Sequence, residues 1–399
     1  MITLTSLLHR GELRDIIRRW MYGNVLPDDA ARVSRLVSFN MIFIPRYLGA
    51  LATDLFGRLH GSQISSRGIS HKGALKDVLI ANPPYRSRRI DEMILNYRSN
   101  PERYYRETPC QATLYFSRRE DRNLFIGSSR VKRLRRIAEK AARRIIDGIY
   151  LAIKKQAEVY ADSRANALGI PRENLLTTPE DMLAEFVRAE VRIQEDLRSG
   201  RAIRDLGEMF IDDVAGLKVI LEDGDHDRLI KALSDTCECE ILERETHRGN
   251  YNATNLIVRH VPPKERIVAR PISAAAMQAM ADRGMDPRQV EKEFLEFVNT
   301  GEDGVNLEII ISNYEETLEG EIGRCMHEDR IIEQRMKEQY RGWLARNTEY
   351  LMVYLFNIAA SRQTKINEVP IKLWNRYLPD YFEEVMRQLF EVPPHFVDD

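Results

Sequence analysis

The stretch Phe210-Ile211-Asp212-Asp213-Val214-Ala215-Gly216-Leu217-Lys218-Val219-Ile220 constrains this chain most, because it sets two adjacent carboxylates at the entrance of a short apolar run. A run of that length, closed by Glu222-Asp223-Gly224-Asp225, has the pattern of a buried strand ended by a turn. Neighbouring carboxylates repel unless one faces water or a cation lies beside them. A divalent metal is the usual compensation when it also holds a phosphate, and a solvated turn is the ordinary alternative for an Asp-Asp pair taken alone.

With 399 residues the chain is long enough for two or three cores. Its 60 basic and 61 acidic residues leave a net charge of −1, so no global field drives it onto nucleic acid or membrane, and any basic site must be local. Four scattered cysteines are too few for a disulfide framework, and Cys237-Glu238-Cys239 lacks a second pair for zinc, which points to a reducing cytoplasm. The early apolar stretch Met41 to Phe56 carries Pro45, Arg46 and Asp54, so neither a membrane span nor a signal peptide is expected.

Residues 1 to about 110 read as helical, with Leu13, Ile16, Ile17 and Trp20 and then Val33, Leu36 and Val37 at helix spacing. The polar segment Gly61 to Lys76 reads as a loop. Ala112 to Phe116 and Asn123 to Ile126 form a predicted hairpin, which feeds through small residues into a basic helix. There, Leu134, Ile137, Ala138, Ala141, Ile145 and Ile149 make the buried stripe and leave Arg130, Lys132, Arg133, Arg136, Lys140 and Arg144 outward. Cations grouped at a strand-to-helix turn suit a polyphosphate, with a solvated cationic face as the alternative. A second helix opens at Thr178-Pro179-Glu180-Asp181 with a capping pattern. Later strands are expected at Cys239 to Arg244, Asn252 to Val258 and Val305 to Ile311, with helices over His226 to Ser234, Ala274 to Asp282 and Pro287 to Asn299, and mostly helix from Glu315 to Phe390. In the last strand Glu308 stands on the face opposite Val305, Leu307, Ile309 and Ile311, where a carboxylate is costly unless used or paired.

In this order the pieces resemble the RelA/SpoT synthetase domain, which makes the alarmone (p)ppGpp. Arg130, Lys132, Ile137 and Lys140 stand at the distances of the family's basic motif, with Arg136 in place of its Ser. Asp213-Val214-Ala215-Gly216-Leu217-Lys218 looks like its Asp-x-x-Gly-x-Arg, and Asn250-Tyr251-Asn252-Ala253-Thr254-Asn255 is similar to its Gly-Tyr-x-Ser-x-His, keeping only the Tyr. Glu308, then Glu321-Ile322-Gly323, then Met326-His327 follow its closing strand and the two motifs after it, while Ile310 and Ser312 replace a Gln and an Arg. No His-Asp pair has the spacing of the family's hydrolase half.

The resemblance implies an α+β fold: a mixed β-sheet synthetase core over 111–345 with helical insertions at about 145–205 and 262–302. A helical region over 1–110 and C-terminal helices over 346–399 lie outside the core. It implies transfer of the β,γ-pyrophosphate of ATP to a 3′-hydroxyl of GDP or GTP. Arg130, Lys132, Lys140 and Lys218 would hold ATP phosphates, Asp213 and Glu308 would bind Mg2+, and Glu308 would also take the hydroxyl proton. Tyr251, Asn255, His327 and Glu321 would line the acceptor pocket, Tyr251 by stacking. Two other readings stand beside this one: the same transfer to a tRNA 3′ end, as in toxic relatives, and a nucleotide- or partner-binding module without activity. The insertions would serve a homo-oligomer or a regulatory partner, and no membrane partner is expected.

Overall fold

A computed structural model describes residues 1–61, 63–119, 122–201, 207–235, 238–249, 252–336 and 340–392. The fold is α+β, with helices on both faces of a mixed sheet. Nine strands form among the described residues: β1 Ile2–Leu4, β2 Ile64–His71, β3 Pro109–Arg119, β4 Arg122–Val131, β5 Met209–Ile211, β6 Ala215–Ile220, β7 Cys239–His247, β8 Ala253–His260 and β9 Val305–Ser312. Seven make one sheet in the order β2-β3-β4-β6-β9-β8-β7, in which only β6 and β9 run parallel. The other two, β1 and β5, pair in parallel and lead into the Asp212-Asp213 corner.

The helices follow from the apolar spacing. They are α1 Arg10–Met21, α2 Asp29–His60, α3 Lys72–Ala81, α4 Arg88–Ser99, α5 Leu134–Ala167, α6 Pro179–Arg198 and α7 His226–Ser234. After them come α8 Lys264–Val268, α9 Ala274–Ala281, α10 Val290–Thr300, α11 Tyr314–Ile322, α12 His327–Met336, α13 Trp343–Ile358 and α14 Pro379–Leu389. One sheet face, carrying Leu217, Val219, Leu307, Ile309, Leu256 and Val258, shares a core with the buried stripes of α2, α5 and α13. On the other face Leu114, Phe125 and Ile220 pack with Leu75, Leu79, Ile90, Ile94, Leu318 and Ile322 of α3, α4 and α11. The two faces are separated by strand alternation alone.

Gly127 shows how close α2 lies to the sheet. A side chain there would run into the carbonyl oxygen of Lys218 and the ring of buried Phe56, so only glycine lets helix and strand approach this closely. Helix α2 ends at Gly61, whose φ of 57° is left-handed backbone, with its N–H bonded to the Gly57 carbonyl. By length and composition α2 could cross a membrane, but 61% of its most apolar window is buried inside the protein.

Two local readings change. Residues 61–76, expected as a loop, contain β2, which extends the sheet by pairing with β3, and the start of α3. The polarity of β2 reflects an edge strand with water on both faces. The N-terminal region also begins with a strand, and the C-terminal segment holds a non-helical stretch from Ala359 to Leu378 between α13 and α14.

Candidate functional site

The site is built on the face of the sheet that carries α3 and α11. Register places Arg130 of β4 opposite Gly216 of β6, and Gly216 opposite Glu308 of β9, so a guanidinium and a carboxylate flank a strand position without a side chain. Around the Cβ position of Gly216 the nearest heavy atom is the Glu308 carbonyl oxygen at 3.7 Å, which leaves open space between the two charges. One rung along, Ser128 faces Lys218, and Lys218 faces Ile310.

At the entrance of β6, Asp213 gathers the cations of the strand-to-helix turn. Lys132 Nζ lies 2.9 Å from Asp213 Oδ2 and also donates to the Asp213 carbonyl, and Lys140 Nζ pairs with the same Oδ2. Burial opposes ionisation of Asp213, but Lys132 and Lys140 outweigh it and hold its pKa at about 2. Lys132 moves down to about 8, first through burial and then through repulsion from Lys140 and Arg130, against the pull of Asp213 and Glu308. Lys132 shares that one carboxylate with Lys140, so the attraction of Asp213 does not offset the cost of its own burial. Lys132 is therefore the point where the fields of Asp213 and Glu308 meet. Asp212, the other half of the acidic pair, is structural: its Oδ1 accepts from Thr5 Oγ1 and Asn306 Nδ2, each at 2.8 Å.

Sequence reasoning missed a second group. Lys72 and Lys76, one turn apart on α3, are both buried. Lys72 Nζ donates to both oxygens of Glu321, at 3.0 and 2.8 Å, and lies 3.5 Å from Glu328. Lys76 Nζ lies 3.6 Å from Glu328, yet neither that amine nor either Glu328 oxygen has a hydrogen-bond partner. Burial raises the Glu321 carboxyl, but Lys72 and Lys218 overcome this and keep it ionised. The available signal was the placing of Leu75 and Leu79 on the same helical face as the two lysines.

Lys218 projects toward this second group. Lys218 is half-buried, and burial, with repulsion from Lys72, Arg130 and Arg330, brings its pKa down to about 8 despite Glu321. Among the described residues neither Lys218 nor Arg130 forms an ion pair. His327, at the start of α12, is held neutral: burial, Arg130 and Lys72 push it to about 2. Between the two groups Arg130 is the common cation, acting on Lys132 on one side and on Lys72, Lys218 and His327 on the other.

Arg130, Lys132, Lys140, Asp213, Lys218, Asn255, Glu308, Glu321 and His327 thus belong to one face and its rim. Asn255 Nδ2 donates to Glu308 Oε1 at 3.3 Å, and Asn255 Oδ1 is buried without a partner. Arg136, on the first turn of α5, turns to Glu139. Tyr251 lies outside the described residues, as does Asn250 beside it. Among the described residues no three His, Cys, Asp or Glu side chains form a ready metal cage. Glu308 and the orphaned Asn255 Oδ1 are hard oxygen donors of the kind that suits magnesium, whereas Asp213 Oδ2 is already shared by Lys132 and Lys140.

Comparison with models of protein families, with curated proteins and with solved structures finds no match for this chain.

Proposed function

We propose that this chain is an ATP-dependent pyrophosphokinase that moves the β,γ-pyrophosphate of ATP to a 3′-hydroxyl of GDP or GTP. The observation that carries the reading is the rung Arg130–Gly216–Glu308, an unpaired guanidinium and a carboxylate facing each other across an open strand position beside Lys132 and Asp213. Phosphoryl-type transfer needs anions held in place, cations over the developing charge and a base for the attacking hydroxyl. Arg130, Lys132 and Lys140 hold the donor phosphates. Glu308 accepts the proton of the hydroxyl, and Asn255 orients its carboxylate through the bond to Oε1. Lys218, which forms no ion pair among the described residues, adds a further cation that suits an acceptor carrying its own 5′-phosphates. Magnesium, held by Asp213 and Glu308, would supply charge neutralisation on the transferring phosphates.

The test is incubation with ATP labelled in its γ-phosphate and, separately, GDP, GTP and tRNA. Label moving to GDP or GTP supports the proposal; label on the tRNA 3′ end would reassign the acceptor. A folded protein that transfers label to none of them would defeat the reading.

A further inference from the structure

The hairpin of α5 and α6 carries a surface that the site does not use. One face of α6 is already committed inward, since Ala189, Ile193 and Leu197 are buried and Phe186 packs against the core. The opposite face repeats the heptad spacing of four and three residues: Glu180, Ala184, Val187, Val191, Gln194 and Arg198. Val187 and Val191 are each 47% exposed, and Leu183 beside them is 65% exposed. A solvent-facing stripe of this kind is the seam of a helix pair without its partner.

We propose that this stripe binds the same stripe of a second copy of the chain, with the two α6 helices antiparallel. The occupant is selected by charge. A two-fold axis passing beside Ala189 sets Val187 against the partner's Val191, Ala184 against the partner's Gln194, and Glu180 against the partner's Arg198. Neither Glu180 nor Arg198 has an ion-pair partner within the chain among the described residues, so both are available to the other copy. Parallel pairing would instead lay Glu180 on Glu180 and Arg198 on Arg198, which like-charge repulsion disfavours. The surface is self-complementary in one orientation only, as an isologous contact requires.

Sedimentation equilibrium of the full chain over about a hundredfold concentration range tests this. The wild type should move from monomer toward dimer, and Val187→Glu should remain monomeric with an unchanged circular dichroism spectrum. Glu180→Arg and Arg198→Glu should each weaken association about tenfold, and the double variant Glu180→Arg/Arg198→Glu should restore it. A disulfide between a Val187→Cys chain and a Val191→Cys chain, with none between two copies of either variant alone, would support the antiparallel register. A wild-type protein that stays monomeric throughout, or a double variant no better than the single ones, overturns the proposal.

Discussion

Replacing Lys218 with Met should make the protein more stable and its phosphate binding weaker. Lys218 sits half-buried on β6, repelled by Lys72, Arg130 and Arg330 and only partly compensated by Glu321. Its pKa falls from 10.5 to about 8. At 1.36 kcal/mol per pH unit, this corresponds to about 3 kcal/mol against the charged form in the folded protein. Because the folded value lies below the unfolded one, the unfolded chain holds the proton more tightly. The cost is therefore complete below pH 8, shrinks as pH rises toward 10.5, and is absent above that. Methionine matches the length of the stem without the charge, so urea unfolding at pH 7 should show the variant more stable by up to about 3 kcal/mol, with the difference closing near pH 10.5. Nucleotide binding followed by calorimetry should weaken in the same variant. A Lys218→Met protein that is less stable at pH 7, or whose difference from the wild type does not change with pH, would refute the reasoning.

Asp213→Ala should abolish magnesium-dependent ATP binding while sparing the fold, because Asp212 and not Asp213 ties the corner together; titration with ATP with and without Mg2+ measures this. The ionised Asp213, at about 2 against an ordinary 3.8, contributes about 2 kcal/mol of stability above pH 4, lost as pH falls toward 2, and unfolding of wild type and variant across that window should converge at the acid end. Glu321→Gln removes the negative charge opposite buried Lys72 and leaves it one acceptor oxygen in place of two, which should cost about 3–5 kcal/mol in denaturant unfolding. Gly216→Ala meets nothing nearer than 3.7 Å and should fold normally yet bind ATP more weakly, whereas Gly127→Ala should lose about 1–3 kcal/mol or more from the clash with Phe56 and the Lys218 carbonyl. Comparing melting and ATP binding of the two glycine variants separates a cleft position from a packing position.

Much of this was legible from residue order, for reasons that differ by element. Strands β6 and β9 are short and rich in Val, Ile and Leu, and their alternation alone placed Glu308 opposite the apolar face, as the structure has it. The cap of α6 was equally readable, with Thr178 accepting from the Asp181 N–H. Strand β2 was not: of its eight residues only Ile64 and Ile69 are apolar, and pairing with β3 supplies what the side chains do not. Lys72 and Lys76 were read as solvent residues because their partners, Glu321 and Glu328, lie about 250 positions away, and long-range pairing leaves no local pattern. The role of Asp212 was hidden for the same reason, since Thr5 and Asn306, 207 and 94 positions away, hold it.

That tether fixes more than one side chain. Ser6 Oγ donates to the Asn306 carbonyl at 2.7 Å, and the Asn306 N–H bonds to the Thr5 carbonyl, so the corner before β6 and the start of β9 are stitched through the same short segment. Asp213 follows the stitch on one strand and Glu308 lies two residues beyond it on the other. The spacing of the two carboxyl-bearing positions is thus set by hydrogen bonds to the main chain rather than by side-chain packing. The parts left to adjust are the long lysine side chains around the rim, Lys132 and Lys140 among them.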